Sequence, residues 1–185
     1  MSLLKKILSI ICNLYTNIQG CRVLLKIPYI TLDNGYCITA LHRCEFRQMK
    51  MDYYKAFDSK LLRSIELVCY IFCEKLCFVL RDENDKILAY MFFIFNKHEW
   101  IQGYIHSNLI FVADDFQNTG VGALLEGNVL KFLQNNTSLR GIMARVTIQN
   151  KNAYRLIKYN GFEVMEEYTE ANTGKKRVYV VKKFV

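Results

Sequence analysis

The chain has 185 residues, of which 52 % are apolar and 14 % aromatic, with one proline and nine glycines. That composition excludes a disordered or fibrous protein and supplies the core of one ordinary domain. The formal charge is +8, but lysines and arginines are scattered and form no stripe interleaved with aromatics. They read as a solvated basic surface that also suits an anionic ligand, and nucleic acid is not an expected partner.

Residues 1–20 place Leu3, Leu4, Ile7, Leu8, Ile11, Leu14, Tyr15 and Ile18 on one helical stripe, with Lys5, Lys6, Ser9, Asn13, Thr16 and Asn17 off it. This amphipathic helix is too short and interrupted to span a bilayer, which takes about 20 apolar residues. It also lacks the small-residue cleavage site of a signal peptide. It is expected to pack on the domain or on a second subunit of a homodimer, with weak membrane-surface contact through residues 3–18 as the sharper alternative. Residues 21–185 are expected to form a single domain. Asp33-Asn34-Gly35 predicts a turn and 36–41 a strand. The helical spacing over 45–72 predicts one or two helices. The apolar runs 76–80 and 87–95 flank the polar stretch RDENDK and predict a hairpin. A long strand is expected over 100–112, a helix from about Gly120 to Gln134, and a strand over 141–148. Asn150 is a natural N-cap for the next helix, and Gly161 ends it. Two final strands flank Asn172-Thr173-Gly174. The order predicts an α+β fold with a mixed sheet.

The seven cysteines are Cys12, Cys21, Cys37, Cys44, Cys69, Cys73 and Cys77. An odd count without a CxxC pair argues against a disulfide framework and against zinc, so no metal is expected. Cys69, Cys73 and Cys77 share one face if a helix extends that far, and read as buried thiols of a reducing, cytoplasmic compartment.

Between strand and helix lies Gln117-Asn118-Thr119-Gly120-Val121-Gly122. A helix beginning near Gly120 leaves its first N–H groups without backbone partners, and the missing Cβ atoms at 120 and 122 let an anion approach them. The stretch reads as a pyrophosphate cradle. It is not a P-loop, because no lysine follows the second glycine. Nor is it a dinucleotide fingerprint, because position 125 is leucine.

A second stretch, NKNAYRLIKYNGF (150–162), follows on the next strand–helix unit. Together the two stretches resemble the GNAT superfamily of acetyl-CoA-dependent N-acetyltransferases. One family signature is a strand ending in valine, here Leu109-Ile110-Phe111-Val112, followed by Gln-x-x-Gly-x-Gly. The other is Asn-x-x-Ala-x-x-Leu-Tyr-x-x-x-Gly-Phe, kept in spacing and departing only at Ile157, where the family has tyrosine. The resemblance covers residues 100–168. It implies a mostly antiparallel sheet of six to seven strands flanked by helices, with residues 1–20 as an extra helix. It also implies that Ile110, Phe111 and Val112 hold the pantetheine arm and polarise the acetyl carbonyl. The loop Gln117, Asn118, Thr119, Gly120, Val121 and Gly122 would bind the pyrophosphate, and Asn150 and Asn152 would line the arm.

The implied reaction is direct attack of a primary amine on the acetyl thioester in a ternary complex. An alkyl ammonium with a pKa near ~10 must first lose a proton. The family often places a carboxylate six residues before the strand-terminal valine; that position is His106 here, and a neutral imidazole can take a proton in its stead, with Glu99 and Tyr104 as weaker substitutes. With Ile157 unable to protonate the leaving thiolate, Tyr154 is the nearest replacement on the helix, ahead of Tyr159, and solvent is the other source. The acceptor is an amine, on a small molecule or peptide. It would sit between residues 45–75 and 163–185, where Arg43, Arg47, Lys175 and Arg177 suggest an anionic compound such as an amino-sugar nucleotide. The alternatives are a catalytically inactive CoA-binding module, motivated by Ile157, and transfer of a longer acyl group.

Overall fold

The computed structural model describes residues 3–57, 69–171 and 173–184. Period-two alternation and turn residues organise eight strands among them: β1 Ile30–Thr31, β2 Cys37–Ala40, β3 Cys77–Arg81, β4 Ile87–Ile94, β5 Tyr104–Val112, β6 Gly141–Thr147, β7 Glu163–Thr169 and β8 Lys176–Lys183. They form one sheet in the order β1-β2-β3-β4-β5-β6-β8-β7. Every neighbouring pair is antiparallel except β5–β6. The helices are α1 Leu3–Gly20, α2 Phe46–Phe57, α3 Lys97–Ile101, α4 Val121–Asn136 and α5 Lys151–Tyr159, with a further helical turn at 69–72.

β3 is buried throughout and β4 in all but its last residue, because helices cover both faces of the sheet centre. α4 packs against β3, β4 and β5 through Val121, Leu125, Val129 and Leu133. α2 lies against β5, where Tyr53 and Phe57 meet Phe111 edge-on at 5.3 and 6.2 Å. Phe111 in turn stacks on Tyr90 at 4.5 Å. Such rings bury large apolar area and prefer offset or edge contacts, so this cluster fixes α2 on the sheet.

Several sequence expectations change. The sheet has eight strands where six to seven were expected. The added one is β1, two residues too short to leave an alternating signal. The strand expected from residue 100 begins at Tyr104, because Lys97–Ile101 close a helical turn and Gly103 reverses the chain. Cys69, Cys73 and Cys77 are all buried but do not share a helix, since Cys77 opens β3.

α1 is formed as expected and rests on the domain through its polar side. Its apolar stripe faces away from the domain, with Ile7, Leu8, Ile11, Tyr15 and Ile18 exposed, and the buried residues are Thr16, Asn17 and Gly20. The physical reason is Asn17. Its side chain accepts from the Phe95 N–H at 2.7 Å and donates to the Phe95 carbonyl at 3.3 Å, completing the backbone just after β4. No helix among the described residues is long and apolar enough to cross a membrane.

Candidate active site

The site begins with an irregularity in β5. Phe92 faces Leu109 and Phe93 faces Ser107, so Asn108 is an extra residue without a partner on β4. Such a bulge bends its strand and breaks the ladder locally. The parallel pairing of β5 with β6 ends at that point: Tyr104 to Ser107 pair with Gly141 to Ala144, and nothing beyond pairs. β5 and β6 therefore splay apart like a V with its vertex at Ser107 and Ala144. The Asn108 side chain is held by the Tyr70 hydroxyl at 2.9 Å.

The mouth of the V holds the glycine loop. Asn118 and Gly120 have φ of +63° and +90°, and Gly120 caps α4. Only glycine adopts that conformation without strain. The first helical bond is Leu124 N–H to the Gly120 carbonyl, so the N–H groups of Val121, Gly122 and Ala123 precede it with no helical acceptor. A Cβ on Gly120 would point into open space, whereas one on Gly122 would crowd Val112 at 3.1 Å.

A cavity of about 500 Å³ runs along this gap. Ile110, Phe111 and Val112 form its β5 wall, and Gln117, Asn118, Gly120 and Gly122 its loop end. Asn150 and Asn152 lie on the opposite wall. Nine of the eleven expected cofactor residues thus converge on one space. The remaining two do not line it: the Thr119 hydroxyl donates to the Phe116 carbonyl at 2.6 Å, and Val121 is buried in the core.

Other lining residues were not singled out from the sequence. Arg155, Leu156 and Tyr159 join Asn152 on the cavity side of α5. Their spacing of three, four and seven is one helical face, so the periodicity already contained them. Ala56 and Phe57 close the cavity from α2, whose sequence carries no motif. Tyr154 lies off the cavity wall, with Lys158 Nζ 4.8 Å from its ring centre, whereas Tyr159 is exposed on that wall. Ile157 is buried in the core. Asn150 caps α5 as expected, accepting from the Ala153 N–H at 3.1 Å.

His106 stands beside the vertex, one residue before the last paired position, in register with Met143 of β6. Its Nδ1 lies 2.9 and 3.0 Å from the two carboxylate oxygens of Glu99, which α3 delivers from above. The Tyr179 hydroxyl donates to Glu99 Oε1 at 2.7 Å. Burial pushes the Glu99 carboxyl up, but the hydrogen bond and charge of His106, with the Tyr179 phenol, outweigh it and hold the carboxyl below its usual value. An ionised carboxylate only accepts, so the Nδ1 that faces Glu99 carries a hydrogen, and the tautomer this selects leaves the lone pair on Nε2. The pairing is a histidine oriented by a buried carboxylate.

A second cavity, of about 490 Å³, adjoins this pair and is lined by Asn96, His98, Glu99, Arg145, Glu166, Tyr168 and Tyr179. Arg145 lies 5.5 Å from the Tyr179 ring centre. Of the four basic residues named for the acceptor, Arg43 pairs with Glu74 at 3.6 Å and Arg177 with Glu170 at 3.0 Å. Part of the expected acceptor region, residues 58–68, lies outside the described residues. Among the described residues, no group of three or more His, Cys, Asp or Glu is placed to hold a metal ion.

The model of the acetyltransferase (GNAT) family matches residues 39–162. The chain belongs to the GNAT family. Its fold is shared by solved GNAT structures at low identity. One is the ribosomal-protein-S18-alanine N-acetyltransferase of Escherichia coli, 16 % identical, covering 80 % of this chain and 94 % of that one, with a TM-score of 0.64. A second is yncA, a putative acetyltransferase of Salmonella typhimurium solved with acetyl-CoA: 14 % identical, 82 % and 95 % covered, TM-score 0.66. A third is the spermidine N-acetyltransferase of Vibrio cholerae in complex with CoA and spermine: 15 % identical, 82 % and 97 % covered, TM-score 0.65. No curated protein sequence matches this GNAT chain.

Proposed function

We propose that this GNAT chain transfers an acetyl group from acetyl-CoA to a primary amine, directly and without an acyl-enzyme. The observation that carries the reading is the cavity at the splayed strands with the glycine loop at its mouth, together with a histidine–carboxylate pair at the vertex of the V, where Glu99 lines the second cavity. Its residues fit the donor. The N–H groups of Val121, Gly122 and Ala123 and the positive end of α4 suit a diphosphate, and Arg155 adds a cation on the facing wall. On the side away from β4, the edge of β5 at Ile110 to Val112 has no strand paired to it and offers backbone groups to the amides of a pantetheine arm. The yncA structure was solved with acetyl-CoA, which agrees with that assignment.

In this reading His106 Nε2 takes the proton from the acceptor ammonium, directly or through one water, and Glu99 stabilises the imidazolium that forms. Glu99 is a positioning residue, because it touches His106 rather than the amine. Tyr159 has the better placement of the two tyrosines for protonating the thiolate, with solvent as the other source. None of the seven cysteines lines the cavity, which agrees with direct transfer. The acceptor enters from the second cavity. Arg145 there would pair with an anionic group on the acceptor, an amino sugar or sugar nucleotide, while Glu99 and Glu166 on the same lining would suit a polyamine of the kind bound by the Vibrio cholerae enzyme, so the acceptor panel decides between them.

Thiol release from acetyl-CoA across a panel of amines tests the reading. Turnover with an amino-sugar nucleotide above that with spermidine supports it, and the reverse order removes the anionic acceptor. Binding of acetyl-CoA without turnover on any amine would leave a CoA-binding module, the outcome that the buried Ile157 motivates.

A further inference from the structure

We infer that α1 is a membrane-surface anchor that lies on an anionic lipid face. The helix is mounted with its polar side inward. At about 100° per residue, its buried positions Thr16, Asn17 and Gly20 centre roughly 170° from the centre of the stripe formed by Ile7, Leu8, Ile11, Leu14, Tyr15 and Ile18. Ile7, Leu8, Ile11, Tyr15 and Ile18 are 41–62 % exposed. Every residue from 7 to 13 is exposed. A globular protein ordinarily buries such a stripe in its own core, and an outward-facing one marks an interaction surface.

Charge decides what covers it. The first 32 residues contain four basic side chains, Lys5, Lys6, Arg22 and Lys26, and no acidic one, in a chain of formal charge +8. Two copies brought together through this segment would set like charges against each other. An anionic bilayer satisfies both the apolar stripe and the flanking cations. Leu3 and Leu4 continue the stripe in sequence. No described helix is long and apolar enough to cross the bilayer, so the helix lies in the interface. This inference is independent of the reaction proposed above.

Co-sedimentation of the full chain with phosphatidylcholine vesicles, with and without phosphatidylserine, tests it, beside an Ile7→Asp/Ile11→Asp variant. Both substituted side chains lie in solvent, so circular dichroism and melting temperature should match the parent. Binding to the serine-containing vesicles should exceed binding to the neutral ones by at least about tenfold, weaken in high salt, and fall by about tenfold or more in the variant. Three results would each overturn it: no pelleting with anionic vesicles, equal pelleting of parent and variant, or a dimer in light scattering that the variant dissolves.

Discussion

Glu126→Gln is the most quantitative perturbation the structure offers. Glu126 sits in α4 with 2 % exposure, and Asn160 Nδ2 donates to its carboxylate at 2.5 Å, joining α4 to the end of α5. Burial pushes its carboxyl from 4.5 up to about 7, against the pull of the Asn160 hydrogen bond. The folded protein therefore keeps a proton that the unfolded chain releases near 4.5. Stability from this site is fully present below that value and is lost as pH rises through about 7. At about 1.4 kcal/mol per tenfold, the complete loss is about 3 kcal/mol, most of it between pH 5 and pH 8. Glutamine keeps an acceptor for Asn160 and never ionises. Thermal melts of parent and variant across that range should show a gap that widens by about 2–3 kcal/mol in the variant's favour, or about 5–10 °C for a chain this size. Comparing the two proteins cancels every other titrating group. A gap independent of pH, or a variant less stable at pH 8, would refute the burial argument.

His106→Gln should lower turnover by roughly 100-fold or more at pH 6 to 8 while leaving acetyl-CoA affinity within about twofold, in line with loss of a general base; unchanged turnover would remove His106 from the mechanism. Glu99→Gln no longer dictates that Nδ1 carries the hydrogen, so turnover should fall about 10- to 100-fold with an altered pH–rate profile and unaltered cofactor binding. A structural role alone would move the melting temperature and not the profile. Gly120→Val forces a branched side chain into φ +90°, which should cost about 1–2 kcal/mol of stability. It should also weaken acetyl-CoA binding more than it changes turnover at saturation, as calorimetry and initial rates would report.

The residues around the first cavity were legible because the chemistry proposed for them constrains spacing. A loop that needs Gly120 and Gly122 before an apolar helix leaves a pattern in the chain, and Asn150, Leu156 and Gly161 repeat the effect one unit later. The bulge at Asn108 was not legible. Nothing in YIHSNLIFV marks which residue loses its partner, because register is settled between strands. The Glu99–His106 pair was half visible: the family resemblance points to His106, but its bond to Glu99 depends on α3 folding over β5. Ala56 and Phe57 escaped because an unremarkable amphipathic helix shows no sign of which turn meets a cavity. The orientation of the N-terminal helix was not legible either. Its periodicity gives an apolar face but not the direction in which the domain holds it, and two hydrogen bonds from Asn17 set that direction.

Calorimetric titration with acetyl-CoA, on the parent and on Gly122→Val, tests the central claim most directly. The added side chain would meet Val112 at the cavity wall. The account predicts one site per chain, competition by CoA, and at least about tenfold weaker binding in the variant at unchanged fold. Absence of heat or competition at millimolar acetyl-CoA, or equal affinity in the two proteins, would contradict it.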